Sequence, residues 1–400
     1  MVERPPREER PNRTPRSIGS LVRKILLGIG AIAGGTLLAL LLLEVLLRTL
    51  PGVFPTSVQQ ALQVGSVRVA VDSTIADDPD LVVRMRPNID LLLEHPEHTW
   101  RLTTFLNYPG AGFRGNLTKR PVVGVAVGDS FTFGHGVDIE QTWTELLSEM
   151  IGKNIVNLGV GGYGPPQYTK VLAQYGMPMH PRLILYAIFQ NDLEDSYCFT
   201  LSRDRDAYFA CARQRRPSTW VERFLAERFS LYHVLVGIRL ERRRPWRREM
   251  GEDKLFLPTR DVMNRENRDR LLRMWRYAQD PILEAKRLAG QHDAALIALL
   301  LPSKTQAYWH LLEREVPPDM EWRPDGINDL VRKFCEKHGI RYLDLTPVFQ
   351  QQARQGKLLY FKFDAHWNVE GHRLAARTIY DYLVTHRLVE AVRQKASQRD

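Results

Sequence analysis

The sequence predicts an α/β domain, a parallel sheet covered on both faces by helices, carried behind one membrane-spanning helix. Short apolar runs rich in branched residues, such as Val122–Val127, Ile155–Leu158, Leu183–Phe189, Ala294–Leu301 and Ile340–Leu345, alternate with longer amphipathic segments. That is the pattern of strands buried on both faces and joined by crossover helices. Near the N-terminus, Ile25 to Leu43 carries no charge, and about 19 helical residues are enough to cross a bilayer core of roughly 30 Å. The first strand ends at Gly128, where the backbone can turn without a Cβ penalty, and Ser130 follows at once. Open α/β sheets place their ligands at this carboxyl edge.

Residues 1–20 are polar and rich in Pro and Arg, which predicts a disordered tail. Residues 21–48 form the expected span. A cleavable signal peptide has a shorter apolar centre followed by a small-residue cleavage site. Here the run continues into Glu44-Val45-Leu46-Leu47-Arg48 without one, so the segment is expected to be retained. The basic N-terminal flank keeps that end in the cytoplasm and sends the remainder across the membrane. Gly30 and Gly34 match the small-xxx-small pattern that permits helix association.

Residues 49–120 hold several prolines and short apolar segments at Leu81-Val82-Val83 and Leu91-Leu92-Leu93. They read as a juxtamembrane stalk with accessory strands packed on the main domain at 121–390. Asn107 to Gly115 is turn-rich, with a role for Asn107 or Arg114 in the site as the lesser reading. Trp143, Leu146, Leu147 and Met150 recur at helical spacing and mark the first helix. Residues 193–260 break the alternation and read as an insertion. Within it, Trp220 to Leu240 is helical and apolar. It either packs on the domain or lies on a membrane surface. Helices at Arg268–Ala289, around Ile327–Phe334, and from Val369 to Arg387 complete the domain, and 391–400 is a tail.

The net charge of +10 is concentrated in the N-terminal tail and in Arg242-Arg243-Arg244-Pro245-Trp246-Arg247-Arg248. No nucleic-acid recognition signature accompanies these patches, so solvated or membrane-facing surface is expected and nucleic acid is not. Three cysteines are too few for a disulfide framework. Cys198 and Cys211 flank a polar stretch that can fold back, and outside the cytosol they can pair. Cys335 falls on the apolar side of a helix.

A serine hydroxyl becomes a nucleophile when a base takes its proton, usually a histidine oriented by a carboxylate. Ser130 after the first strand, and Asp364 with His366 before the last helix, supply those three groups. Oxyanion donors are available from the Ser130 N–H, the glycine turn at Gly161-Gly162 and the Asn191 amide. Singly, each has a bland reading: Ser130 or Asn191-Asp192 as a helix cap, Asn157 and Gly162 as turn residues, His366 as an ordinary histidine. Together they fall on one edge of one sheet. A metal site built from Asp364, His366 and His372 is the weaker alternative, because no further ligand joins them at a usual spacing.

Gly128-Asp129-Ser130, Asn157 with Gly162, Asn191-Asp192, and Asp364 with His366 resemble, in that order, the four blocks of the SGNH (GDSL-type) hydrolases. The resemblance spans residues 121–387 apart from the insertion. It implies a three-layer α/β/α, flavodoxin-like domain with Ser130 as nucleophile, His366 as base and Asp364 orienting it. Ser130, Gly162 and Asn191 would form the oxyanion hole, with no metal or organic cofactor. The anchored layout, Pro302-Ser303-Lys304, and Asp364-Ala365-His366-Trp367-Asn368 are similar to cell-envelope members related to alginate acetylation proteins. Two features depart from these patterns. Phe363 stands three residues before the histidine, where the common pattern has aspartate, and the block order differs from the alginate branch. His372 is a second choice of base. The expected activity is an esterase on O-acyl groups of envelope polysaccharide or lipid, at the bacterial inner membrane with the catalytic domain periplasmic. An O-acyltransferase using the same site, or a silent scaffold binding envelope partners, are the alternatives.

Overall fold

In the computed structural model the described residues are 18–115, 120–202, 204–212, 220–242, 247–250, 253–256, 265–313 and 327–390. Of the tails expected at 1–20 and 391–400, residues 1–17 and 391–400 lie outside them, as do Arg243 to Trp246 of the arginine cluster, whereas residues 18–20 are helical rather than part of a disordered tail. Helix α1 (Ile18–Thr49) contains the apolar run. Helix α2 (Thr56–Ser73) follows, where the sequence suggested a stalk without a long helix. Antiparallel hairpins come next: β1 (Ile75–Asp78) with β2 (Val82–Met85), β3 (Asp90–Glu94) with β4 (Thr99–Thr103), and β5 (Leu106–Tyr108) with β6 (Ala111–Phe113). Their inward residues Val83, Leu93, Trp100, Leu102 and Phe113 are buried in the main core. The stalk is therefore a layer of the domain.

The central domain runs β7 (Val122–Val127), α3 (Ser130–Phe133), α4 (Trp143–Ile151), β8 (Asn154–Asn157), α5 (Pro165–Val171) and β9 (Leu183–Ile188). The insertion supplies α6 (Asp192–Leu201), α7 (Arg205–Ala212), α8 (Trp220–Arg228), α9 (Ser230–Arg242) and the hairpin of β10 (Arg247–Met250) with β11 (Asp253–Phe256). Alternation resumes with α10 (Arg265–Gln291), β12 (Ala295–Leu300), α11 (Lys304–Ala307), α12 (Asn328–His338), β13 (Arg341–Asp344), α13 (Thr346–Arg354) and α14 (Val369–Thr385).

Five strands form one parallel sheet in the order β13-β12-β9-β7-β8. In β9, Ile184, Tyr186 and Ile188 enter one core while Leu183, Leu185 and Ala187 enter the other. This explains why the strand reads as an unbroken apolar run: no face of it meets water. Tyr168 and Val171 of α5, Leu193 of α6, Trp275 of α10 and Val331 of α12 cover the first face. Trp143 and Leu147 of α4, Phe349 of α13 and Ile379 of α14 cover the second. The strand order reverses between β7 and β9, and such a switch point opens a crevice at the carboxyl ends of the flanking strands.

Within the insertion, α9 packs onto α2 and the end of α1 through Val234, Ala61 and Leu47, whereas Trp220 at the start of α8 is 74% exposed. Cys198 and Cys211 are joined, their Cα atoms 5.5 Å apart, which ties α6 to α7. Cys335 is free and buried.

Candidate active site

Ser130 sits at the switch point. Asp129 caps α3, its Oδ1 accepting the Phe131 N–H at 2.9 Å. Gly128 is needed for close approach rather than for turning: a Cβ there would lie 2.1 Å from Thr132 Oγ1. The half-buried Ser130 hydroxyl is 2.8 Å from His366 Nε2, although the two residues are 236 positions apart. Asp364 Oδ1 lies 2.5 Å from His366 Nδ1 and also accepts the His366 N–H at 2.8 Å. The two-residue spacing thus suffices, because the chain bends back between the carboxylate and the imidazole. The His366 and Asp364 side chains keep 21% and 32% of their surface, so solutes reach them.

Burial raises the Asp364 carboxyl, but the His366 charge and hydrogen bonds, with His135, outweigh it and hold the group well below the usual carboxylate range. Asp364 stays an anion. His135 lies with its ring centroid 4.5 Å from that of His366. Its pKa is lowered to about 3, first by burial and then by the His366 charge. His98, stacked on Phe361 at 3.7 Å, is lowered to about 4 by burial and the neighbouring His95.

The glycine turn lies against Ser130: a Cβ on Gly161 would stand 3.7 Å from the Ser130 Cβ. Gly162 adopts φ +81°, a conformation that favours glycine. Its carbonyl accepts the Tyr208 hydroxyl of α7. Asn191 stands at the end of β9's loop, on the same sheet edge. Its Nδ2 donates to Asp195 Oδ2 at 2.5 Å, and its Oδ1 is buried without a partner. The structure therefore ties this amide to α6 rather than aiming it wholly at the serine. Asn157 is buried and donates to the Thr132 carbonyl at 2.7 Å and Thr144 Oγ1 at 3.0 Å. It fastens β8 to the turn that carries Ser130.

His372 stands apart from the Asp364–His366 pair in its bonding. It is buried, its Nδ1 accepts the Trp143 N–H at 3.2 Å, and burial lowers its pKa to about 3. It serves α4 and is placed neither as a metal ligand nor as a base. His135, Asp364 and His366 have ligand atoms close enough for an ion, but both His366 nitrogens are engaged by Ser130 and Asp364. Arg114 is fully buried and donates to the carbonyls of Gly134 at 3.1 Å and Val137 at 2.7 Å, bracing the loop after α3. Burial lowers its pKa to about 10. Asn107 serves its turn, accepting the Asn88 N–H at 3.0 Å.

Two residues that sequence reasoning left without a role hold the loop bearing Asp364. Lys304, fully buried, donates from Nζ to the carbonyls of Phe361 at 2.6 Å, Lys362 at 2.7 Å and Asp364 at 3.2 Å. Glu97, from the turn between β3 and β4, accepts the N–H groups of Lys362 and, at 3.0 Å, Phe363. Burial raises its pKa, and those amides and the Lys304 charge oppose the rise. The Pro302-Ser303-Lys304 motif was the available signal for Lys304. Nothing local marked Glu97, whose partner lies 266 residues away.

Residues 250–399 match the family model described as "SGNH hydrolase-like domain, acetyltransferase AlgX". The domain resembles the SGNH hydrolases. The match covers the half of this SGNH-like domain that bears Lys304, Asp364 and His366, and it stops short of Ser130. No curated protein matches the chain. Among solved structures, a putative lipolytic protein of the G-D-S-L family from Desulfitobacterium hafniense DCB-2 is 13% identical, with TM-score 0.35, over 65% of this chain and 98% of its own. A GDSL-like lipase from Bacteroides thetaiotaomicron VPI-5482 is 11% identical, with TM-score 0.34, over 67% and 91%. An acetyl xylan esterase is 12% identical, with TM-score 0.37, over 65% and 100%.

Proposed function

We propose that this chain is a membrane-anchored serine enzyme that cleaves or transfers acyl groups held in ester linkage. The observation that carries the reading is the continuous chain Ser130 Oγ–His366 Nε2, 2.8 Å, and His366 Nδ1–Asp364 Oδ1, 2.5 Å. The Ser130 oxygen attacks the acyl carbonyl as its proton passes to His366 Nε2, with Asp364 stabilising the imidazolium. The oxyanion takes hydrogen bonds from the Ser130 and Gly162 amides and the second Nδ2 hydrogen of Asn191. The ester C–O bond then breaks, the leaving alkoxide takes the proton from Nε2, and the acyl group remains on Ser130. A water then attacks the acyl carbon as His366 Nε2 takes its proton; the bond from that carbon to the Ser130 oxygen breaks, the oxygen takes the proton back, and the acid leaves.

A sugar hydroxyl in place of that water makes the same site an O-acyltransferase, a reading favoured by the acetyltransferase description of the matched family. The substrates would be acylated polysaccharide or lipid of the cell envelope, with no cofactor. The span α1 and the Cys198–Cys211 disulfide support an extracytoplasmic domain, since disulfides persist in oxidising compartments. We assign it to the periplasmic face of a bacterial inner membrane, where envelope proteins are the available partners.

The test is labelling of the full chain with a fluorophosphonate probe. Wild type is expected to label and Ser130→Ala is not. Absence of labelling in a folded wild-type protein would overturn the reading in favour of a silent scaffold. An activated acetyl ester offered with and without oligosaccharide then separates the two enzymes, by free acetate alone or by acetyl on the acceptor.

A further inference from the structure

We infer that α8 docks on the outer-leaflet interface of the bilayer crossed by α1, holding the catalytic domain down on the membrane surface. The inference rests on the anchored reading of α1 and adds a second, non-spanning contact. From Val22 to Leu42 the helix α1 is exposed all round, and its most apolar stretch buries nothing in the protein. Ile25 to Leu43 has no charge and measures about 28 Å at ~1.5 Å per residue, so the outer edge of the hydrocarbon falls at Glu44. There α1 changes character. Glu44 Oε1 and Oε2 accept the N–H groups of Ser230 at 2.8 Å and Leu231 at 2.9 Å, capping α9. Arg48 pairs with Glu44 at 2.6 Å and donates to the Arg228 carbonyl, the last residue of α8. Leu47 is buried against Ala61 and Val234.

The junction of α8 and α9 is thereby pinned at the height where the span leaves the hydrocarbon. Running back from that junction, α8 exposes Trp220 by 74%, Val221 by 41% and Phe224 by 43%. Positions 220, 221 and 224 share one helical face, and Phe224 lies under the Arg228 guanidinium at 4.6 Å. A Trp and a Phe on one face, with a cation at the rim, match the composition of the membrane–water interface. Among the described residues nothing covers this face, while α9, immediately after it, packs on α2. Continuity with the span selects lipid over a second protein surface as the occupant.

The test uses the full chain in vesicles of phosphatidylethanolamine and phosphatidylglycerol. Its native cysteines are paired or buried, so a single introduced cysteine takes a spin label alone. Trp220→Cys, Phe224→Cys and Glu222→Cys report α8, and Leu37→Cys reports the span; Glu222 stands on the side of α8 opposite to 220 and 224. The expected result is a higher ratio of oxygen to nickel-chelate accessibility at 220 and 224 than at 222, with the highest ratio at 37. Equal nickel access at all three α8 positions, with 37 still shielded, would overturn the docking and leave the anchor standing. Nickel access at 37 as well would mean that the anchor itself had failed. Dipolar broadening between labelled copies at 224 would assign the face to a second copy of this chain and likewise overturn the proposal.

Discussion

At Lys304 a cation has been taken wholly out of water and spends its three N–H bonds on carbonyls of the Phe361–Asp364 segment. A buried charge survives only when its hydrogen-bonding capacity is filled, and here the partners are the backbone that aims Asp364 at His366. Lys304→Met keeps the apolar stem and leaves three carbonyls short of a donor, at about 1–3 kcal/mol for each one stranded. Because small misplacements of a reacting group can cost on the order of 100-fold in rate, kcat is expected to fall by about 10- to 100-fold while KM changes little. A turnover series on an activated acetyl ester checks this, and an unchanged kcat in a folded variant would remove Lys304 from the positioning of Asp364. His372 gives the residue-scale pH prediction. Its folded pKa, about 3, lies below the ordinary value of 6.5, burial being the main cause. Between those values the unfolded chain binds the extra proton, so this histidine makes stability rise with pH and costs stability as pH falls from 6.5 toward 3. His372→Gln should flatten that part of the acid limb. Thermal midpoints from pH 4 to pH 7, compared with wild type, measure it.

Elements differ in how well they could be read in advance, and the difference has a physical cause. Strands β7, β9 and β12 are legible because both faces are buried and every position must be apolar. Helices α4 and α14 carry one apolar stripe each. Helix α2 escaped notice because its apolar positions are split between α9 and the core, which leaves no single stripe. The hairpins from β1 to β6 are short, and what orders them is distant: Tyr163 donates to the Val83 carbonyl at 2.6 Å and Gln167 to the Leu81 carbonyl at 2.9 Å. The insertion has its own consequence for the site. Helix α7, tied to α6 by Cys198–Cys211, brings Tyr208 onto the carbonyl of Gly162, so the crosslink bears on the turn nearest Ser130. With a sequence separation of 13 between the cysteines, opening the loop is expected to cost up to about 3 kcal/mol on the chain-entropy account. The paired variant Cys198→Ser/Cys211→Ser should therefore melt earlier and also lose kcat, as should wild type under reductant. A loss of melting temperature with kcat intact would show that α7 does not hold the glycine turn.

For the molecule as a whole, the question the fold raises is whether α1 stays. Ser130, His366 and the strand-end residues were legible because chemistry restricts which side chains can occupy such positions, whereas Glu97, Arg114 and Lys304 act through backbone groups that no local pattern announces. No small-residue cleavage site follows the apolar run, and the fold independently ties down the far end of the helix. The last two turns of α1 are built into the protein: Leu47 is 3% exposed and Glu44 is 7% exposed, its carboxylate closing the N-terminus of α9. Cleavage beyond Leu47 would remove Glu44 and Leu47 from that cluster, stranding two amide donors and baring Ala61 and Val234. Upstream, Ile25 to Leu43 carries no charge and no described residue buries the helix from Val22 to Leu42, as expected of a segment that a bilayer covers. The intact mass of the chain recovered from membranes is therefore expected to include α1, the protein should resist alkaline carbonate extraction, and an alkaline phosphatase fusion after Arg387 should be active. A soluble mature chain beginning beyond Thr49 would mean that the cluster of α1, α2 and α9 re-forms without its capping glutamate, and the anchor would be lost with it.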